Sequence, residues 1–562
     1  MKRRGRRRQS APGVRGCPPR ALLALLAVLA LAAGACRSGD AASTGAEGGG
    51  AGGTAEPQGG GIFYAYLDQP SSIDPAHAVE PEDLNVITEL FDSLTAVDPL
   101  LRVLPGAAER WESNANATVF TFHLRPSATF HDGQPVTADA FKRAWQRVIP
   151  RPGGPRSAAA DLLAPVQGYE QARTGGDLTG VVARDLTTLQ VTLGAPFAEF
   201  PAVVSHPALG PVPPAAIDDP DGFAQQPIGN GAFRMDGPWQ PGQFIRLEAF
   251  DGYVGEKPKL DQLINRIYEG DGAAGAGYED FADGNLDLAP VPPDKMKSAT
   301  NKYGLSQDGY SGPGVLNGVK LITAFYGFNT ERPPFDDPTI RRALSLLIDR
   351  DGILKDLDDE ARAAAHSIVP PGLEGYQPPE CEFCNYDPGR ATQLLGGRPI
   401  GPLELVYFEG SDHQVVAERV QRDVNVLGPG TLTLRPLPQS EWLDAIRRGD
   451  AAFFLSGWIA EYPAAEALLY PLFHQSRIGT DNVTRYKNPE VKALLDQARR
   501  ELDPAKRAAL WHEAEGIVLS DLPVVPLFHY RHARVVAPRV RGFTLSPMGD
   551  VDMTQVWLDP KE

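Results

Sequence analysis

Several short stretches of this 562-residue chain hold residue types that catalysts use. Gly270, Gly272 and Gly275 have the spacing of a dinucleotide-binding turn, and a strand pattern precedes them. Such a turn needs to sit in the first βαβ unit so that backbone N–H groups reach a pyrophosphate. No such unit is evident here, so a turn of small residues is the better reading. His512-Glu513 opens like the helix of a zinc protease, but Gly516 stands where the second histidine ligand would be. Ser411, Asp412 and His413 are triad residue types. Adjacent side chains on a helix, however, do not face one another. Gly309-Tyr310-Ser311-Gly312-Pro313 lacks the closing glycine of a nucleophile elbow. The ten histidines are scattered, with no compact group for a bare metal ion. The residues therefore predict no enzyme, no resident metal and no cofactor.

Cys381 and Cys384 are the two cysteines of the expected folded part. In an exported protein such a pair first suggests a local disulfide. A redox pair would need a helix start behind it, whereas Pro378-Pro379 and Asn385–Pro388 read as loop. A zinc site would need more ligands, and only His366 lies near.

The compartment is written at the start of the chain. Met1–Arg20 carries eight Lys and Arg and no acid, Ala21–Ala33 is apolar, and Gly34, Ala35 and Cys36 follow. A basic region, a short apolar run and small residues make a secretory signal. The run is too short for a comfortable membrane span. Ala33-Gly34-Ala35-Cys36 resembles the bacterial lipobox, in which the cysteine is acylated and becomes the new N-terminus; the other reading is an ordinary cut that leaves Cys36 a free thiol. Segment 1–35 is thus expected to be removed. Segment 36–60, rich in Gly, Ala and Ser, reads as a flexible tether that cannot bury a core. Loss of the eight cations takes the net charge from −17 to −25. So acidic a protein is not expected to bind nucleic acid. The remaining length exceeds what one core usually supports, which predicts two lobes.

Strand patterns recur at Gly61–Leu67, Thr118–Leu124, Thr188–Leu193, Phe244–Ala249, Ile264–Tyr268, Leu403–Phe408, Thr431–Leu437 and Ala452–Leu455. Thr137 reads as the N-cap of a helix that buries Phe141, Ala144, Trp145 and Val148. Three later helices share one start signal, a capping Asp or Asn followed by Pro: Asp337-Pro338, Asn488-Pro489 and Asp503-Pro504. Strands and helices mixed through both halves predict an α/β protein.

Six blocks then occur in the order of one family. Phe130-His131-Asp132-Gly133 with Pro135-Val136-Thr137-Ala138 is the most specific. Pro227–Phe233, Phe328-Asn329 with Pro334–Asp337, Ile340–Leu344 with Ile348–Arg350, Gly457–Pro463 and Leu522–Leu527 are the others. Together they resemble the bacterial extracellular solute-binding proteins of the oligopeptide, dipeptide and nickel type, the receptors of ABC importers. The resemblance implies a two-lobed α/β fold of the large type II periplasmic-binding kind. Lobe 1 would span 61–315, with an additional subdomain at about 99–180. Lobe 2 would be inserted over 316–528, and 529–562 would return to lobe 1. It implies capture of a small peptide or similar solute by a monomer, delivery to a permease and its ATPase subunits, and a place either on the outer face of the cytoplasmic membrane, held by the lipid on Cys36, or in the periplasm.

By the same resemblance Glu461 stands where the family's acid pairs with a ligand α-amine, with Trp458 and Tyr462 in the same cleft. Arg447, next to Arg448, lies where some relatives carry a basic residue for the carboxylate. Ala464-Ala465 replaces the usual Asp-Pro, which leaves other cargo open: a nickel chelate, sugar, opine or antibiotic. A ligand sensor and an exported hydrolase are the remaining alternatives.

Overall fold

The fold is that of a computed structural model, which describes residues 59–150, 157–357, 361–373, 376–377 and 381–560. The signal segment, Cys36 and most of the tether lie outside the described residues.

Two sheets organise the chain. The first has seven strands in the order Gly314–Leu316, Arg534–Val536, Leu288–Pro290, Ile62–Asp68, Gln262–Tyr268, Phe244–Ala249 and Phe233–Met235. Ile62–Asp68 runs parallel to Gln262–Tyr268 throughout its length. The second has six, in the order Arg362–Ala364, Val524–Arg531, Val319–Phe328, Phe453–Ile459, Leu403–Phe408 and Leu432–Leu437. Its central strands are apolar on both faces because helices cover both sides. The chain passes from the first sheet to the second at 317–318 and back at 532–533. These crossings fall two to four residues beyond Val315 and Phe528, because each flanking strand runs on until the other lobe begins.

A four-stranded sheet falls in sequence between Ile62–Asp68 and Phe233–Met235 of the first sheet: Ala108–Ser113, Val119–Leu124, Thr188–Thr192 and Val181–Ala183. It reaches past residue 180 because Thr188–Thr192 pairs with Val119–Leu124 as its antiparallel neighbour. The helix Ala138–Val148 covers this sheet and buries Phe141, Ala144, Trp145 and Val148. Trp145 anchors it by donating from Nε1 to the carbonyl of Leu209 at 2.9 Å. This subdomain shares one continuous apolar core with lobe 1, while lobe 2 has its own.

The three Pro-started helices span Pro338–Leu347, Pro489–Ala498 and Pro504–Asp521. Their caps are made as the sequence suggests: the carboxylate of Asp337 accepts from the N–H of Thr339 at 2.8 Å, and Asn488 and Asp503 act alike. Thr137 differs. It occupies the cap position, but its side chain makes no capping hydrogen bond. The strand read as Ala452–Leu455 continues to Ile459, because its pairing with Val319–Phe328 extends to Ile322 opposite Ile459.

Candidate functional site

The tempting catalytic stretches are taken up by the fold. The glycine turn after Tyr268 leads into the helix Ala273–Ala282, and its small residues allow close packing. A Cβ on Gly277 would lie 2.2 Å from the ring of Tyr66. Asp412 is ion-paired with Arg362 at 2.8 Å, and His413 packs on Phe408, its ring centroid 3.7 Å away. The carboxylate of Asp308 collects the backbone N–H groups of Tyr310 and Ser311, both at 2.8 Å, which stiffens the loop beside the first crossing. Among the described residues no group of three or more His, Cys, Asp or Glu could hold a metal ion. Cys381 and Cys384 are joined in a disulfide with Cα atoms 5.3 Å apart.

The two crossings touch. The N–H of His532 donates to the carbonyl of Gly318 at 2.8 Å, and Tyr310 donates from Oη to the carbonyl of Val319 at 2.8 Å. Gly318 must be a glycine, since a Cβ there would lie 2.2 Å from the Tyr310 ring. Beside this hinge the lobes enclose a chamber of about 220 Å³. Tyr66, Asp68 and Glu82 line it from lobe 1, Lys320 and Arg362 from lobe 2, and Arg534 from the returning strand. The chamber lies beside the ends of both central sheets, which is where open α/β sheets take ligands. Burial, and then the charge of Arg534, push the Lys320 ammonium down to about 8. Burial pushes the Glu82 carboxyl up to about 7, with Asp68 and Glu80 adding to it.

Glu461 follows the last interstrand bond at this end of lobe 2, where the N–H of Ala460 donates to the carbonyl of Leu321 at 2.9 Å. Its side chain is exposed, so water reaches it. Partial loss of solvent comes first, and the charges of Asp161 in the subdomain and Asp481 in lobe 2 second, in pushing its carboxyl up to about 7. No cation offsets it.

The neighbours of Glu461 go elsewhere. Trp458 is half-buried and donates from Nε1 to the carbonyl of Ala467 at 2.7 Å. Tyr462 turns to the opposite side of the chain, where its hydroxyl meets the carboxylate of Glu466 and its ring packs edge-on against Phe197 at 6.2 Å. Arg447 ends the helix Gln439–Arg448 at the far end of the strand Phe453–Ile459. At about 3.3 Å per strand residue that is roughly 20 Å from Glu461. The structure does not bring the two together. Lys320, Arg534, Glu82 and Asp161 escaped sequence reasoning. The one local signal was a lone lysine at the head of the apolar run Leu321–Phe328.

Residues 102–480 match the family model described as bacterial extracellular solute-binding proteins, family 5, middle region. The chain is 30% identical over 508 residues to the probable deoxycholate-binding periplasmic protein YgiS of Escherichia coli (strain K12), covering 86% of this chain and 90% of that one. It is 26% identical over 519 residues to the dipeptide-binding protein DppE of Bacillus subtilis (strain 168), covering 89% and 91%. The murein tripeptide-binding protein MppA, in its unliganded open form, shares the fold with a TM-score of 0.78 at 24% identity, covering 90% of this chain and 98% of that one. No helix among the described residues is long and apolar enough to cross a membrane.

Proposed function

This chain belongs to the bacterial extracellular solute-binding proteins of family 5, and from that premise we propose that it captures short peptides between its lobes for an ABC importer. It would bind and release its cargo unchanged, working outside the cytoplasmic membrane and tethered there through Cys36. Delivery would be to a permease and its ATPase subunits. The lobes would close by rotation about 317–318 and 532–533, the two short segments that link them.

Glu461 carries the reading. A carboxylate with two acids and no cation acting on it is unfavourable in the empty cleft, and a ligand ammonium relieves it with a charge-assisted hydrogen bond. The test is calorimetry with free and N-acetylated tripeptides, on the parent protein and on Glu461→Gln. Losing one partner of such a pair costs about 2–5 kcal/mol. The free peptide should therefore bind roughly thirty-fold to several thousand-fold more weakly to the variant. The acetylated peptide should bind poorly to both, and the variant should cost it little more. Equal losses for the two peptides would remove Glu461 from amine recognition.

A second reading keeps the cleft and changes the cargo to an amphipathic acid. The 30% identity to a protein named for deoxycholate favours it, as does Ala464-Ala465 at the position of the usual Asp-Pro. Deoxycholate binding with no tripeptide binding would select it.

A further inference from the structure

We propose that Lys320 and Arg534 form a seat for a carboxylate group of the ligand, at the hinge. The inference rests on the cleft being the solute site, and not on the solute being a peptide.

The two cations lie more than two hundred residues apart in sequence, yet each follows a crossing by two residues or fewer. Lys320 is on the strand Val319–Phe328 of lobe 2, and Arg534 begins the strand Arg534–Val536 of lobe 1. The hinge bond from His532 to Gly318 holds these segments together. Both side chains line the 220 Å³ chamber. Neither has an ion pair among the described residues, and the charge on each acts against the other. His532, buried beside them with Nε2 against the carbonyl of Ser546 at 3.1 Å, adds no compensation: burial and both cations favour its neutral form.

Lys320 and Arg534 are half-buried, and several arginines at similar or greater depth are met. Arg147 has Asp74 at 2.7 Å, and Arg341 has the carbonyls of Phe335 and Asp521. Within the chamber Arg362 has Asp412 at 2.8 Å. The acids that face Lys320 and Arg534 do not neutralise them. Asp68 accepts from the hydroxyl of Tyr66, and Oε2 of Glu82 is buried without a hydrogen-bond partner. Nε of Arg531, on the same wall, is also buried without a partner. Two uncompensated cations beside unmet polar atoms are costly unless something fills the gap. A carboxylate does so. It accepts from Lys320 and Arg534, and Glu82, where it holds its proton, can donate to it. A doubly charged anion would instead meet Asp68 and Glu82, and the volume suits a small group better than a whole peptide. A bound carboxylate would touch both lobes at the hinge and so favour their closure.

The test is equilibrium dialysis read by mass spectrometry, using two probe sets. One is a mixed tripeptide library offered as free acids and as C-terminal amides. The other is deoxycholate and its neutral methyl ester. The parent protein should hold the acid of at least one set roughly tenfold to a hundredfold better than its neutral form. Lys320→Met and Arg534→Gln, made separately, should each lose most of that preference, and neither should melt lower than the parent, since each removes a repulsion. Preference for the acid among tripeptides supports both the seat and the peptide reading. Preference for deoxycholate alone supports the seat and ends the peptide reading. The seat is overturned if no probe is held better as its acid, or if the variants keep the parent's preference.

Discussion

The charged groups of lobe 2 behave differently at two of the places where it meets the rest of the molecule. Away from the hinge it packs on the subdomain through residues 197–202. There Arg499 pairs with Glu466 at 3.3 Å and stacks over Phe197 at 4.4 Å, Arg507 pairs with Glu199 at 3.5 Å, and Trp511 donates to Glu199 at 3.2 Å. The N–H of Ala198 donates to the carbonyl of Arg499 at 2.8 Å, so even the backbone is tied. At the hinge chamber and at Glu461 the same lobes present Lys320, Arg534, Glu82 and an acid set among acids. The first contact pairs Arg499 with Glu466 and Arg507 with Glu199, which offsets much of their desolvation while the lobes touch there. The second withholds the opposite charges, as a site does when its partner arrives from solution. Charge by itself does not separate the two regions. What separates them is whether each charge is met.

Breaking a met pair should damage stability and spare binding. Arg499→Met leaves the buried Glu466 with the Tyr462 hydroxyl but no cation, and should cost about 3–5 kcal/mol in denaturant unfolding. Affinity for a free tripeptide should stay within about twofold, a ratio worth only some 0.4 kcal/mol. A large loss of affinity instead would merge the two regions into one. Breaking an unmet charge should do the opposite: Glu461→Gln should melt no lower than the parent at about pH 7 and above, because it removes a carboxylate set against Asp161 and Asp481.

The pH profile sharpens the comparison by roughly tenfold per pH unit on each side. A ligand ammonium needs Glu461 ionised, and its carboxyl is pushed up to about 7, so affinity should rise as pH climbs through 7. A ligand carboxylate needs Lys320 charged, and its ammonium is pushed down to about 8, so affinity should fall above 8. Free tripeptides and C-terminal amides should both give a bell, because the ligand α-amine also loses its proton at about 8. The ratio of acid to amide affinity, in which that loss cancels, should fall above about 8 as Lys320 loses its charge, and a ratio that stays flat would separate Lys320 from the ligand.

Smaller effects belong outside both regions. Cys381→Ser opens a loop of only four residues, so it should cost about 2 kcal/mol or less and leave affinity untouched. Cys36→Ser should change nothing in the folded domain and should abolish incorporation of labelled palmitate. Label that persists in the variant would show that acylation, if any, is elsewhere.

The residues alone determined the elements and the family. Asp337-Pro338, Asn488-Pro489 and Asp503-Pro504 announced helices that form where expected, because a cap and its proline act within one turn. Phe244–Ala249 and Leu403–Phe408 appear with the bounds read from pattern, since burial and β-branching are local signals. Glu461 was singled out by its motif. The tertiary structure alone decided which charges have partners. Tyr462 adjoins Glu461 in sequence but turns to Phe197 and Glu466, because the chain bends after the strand ends at Ile459. Arg447 has the right charge, but a whole strand separates it from Glu461. Lys320 and Arg534 meet only because the chain crosses between lobes twice at one place, and no local pattern encodes a contact made across more than two hundred residues.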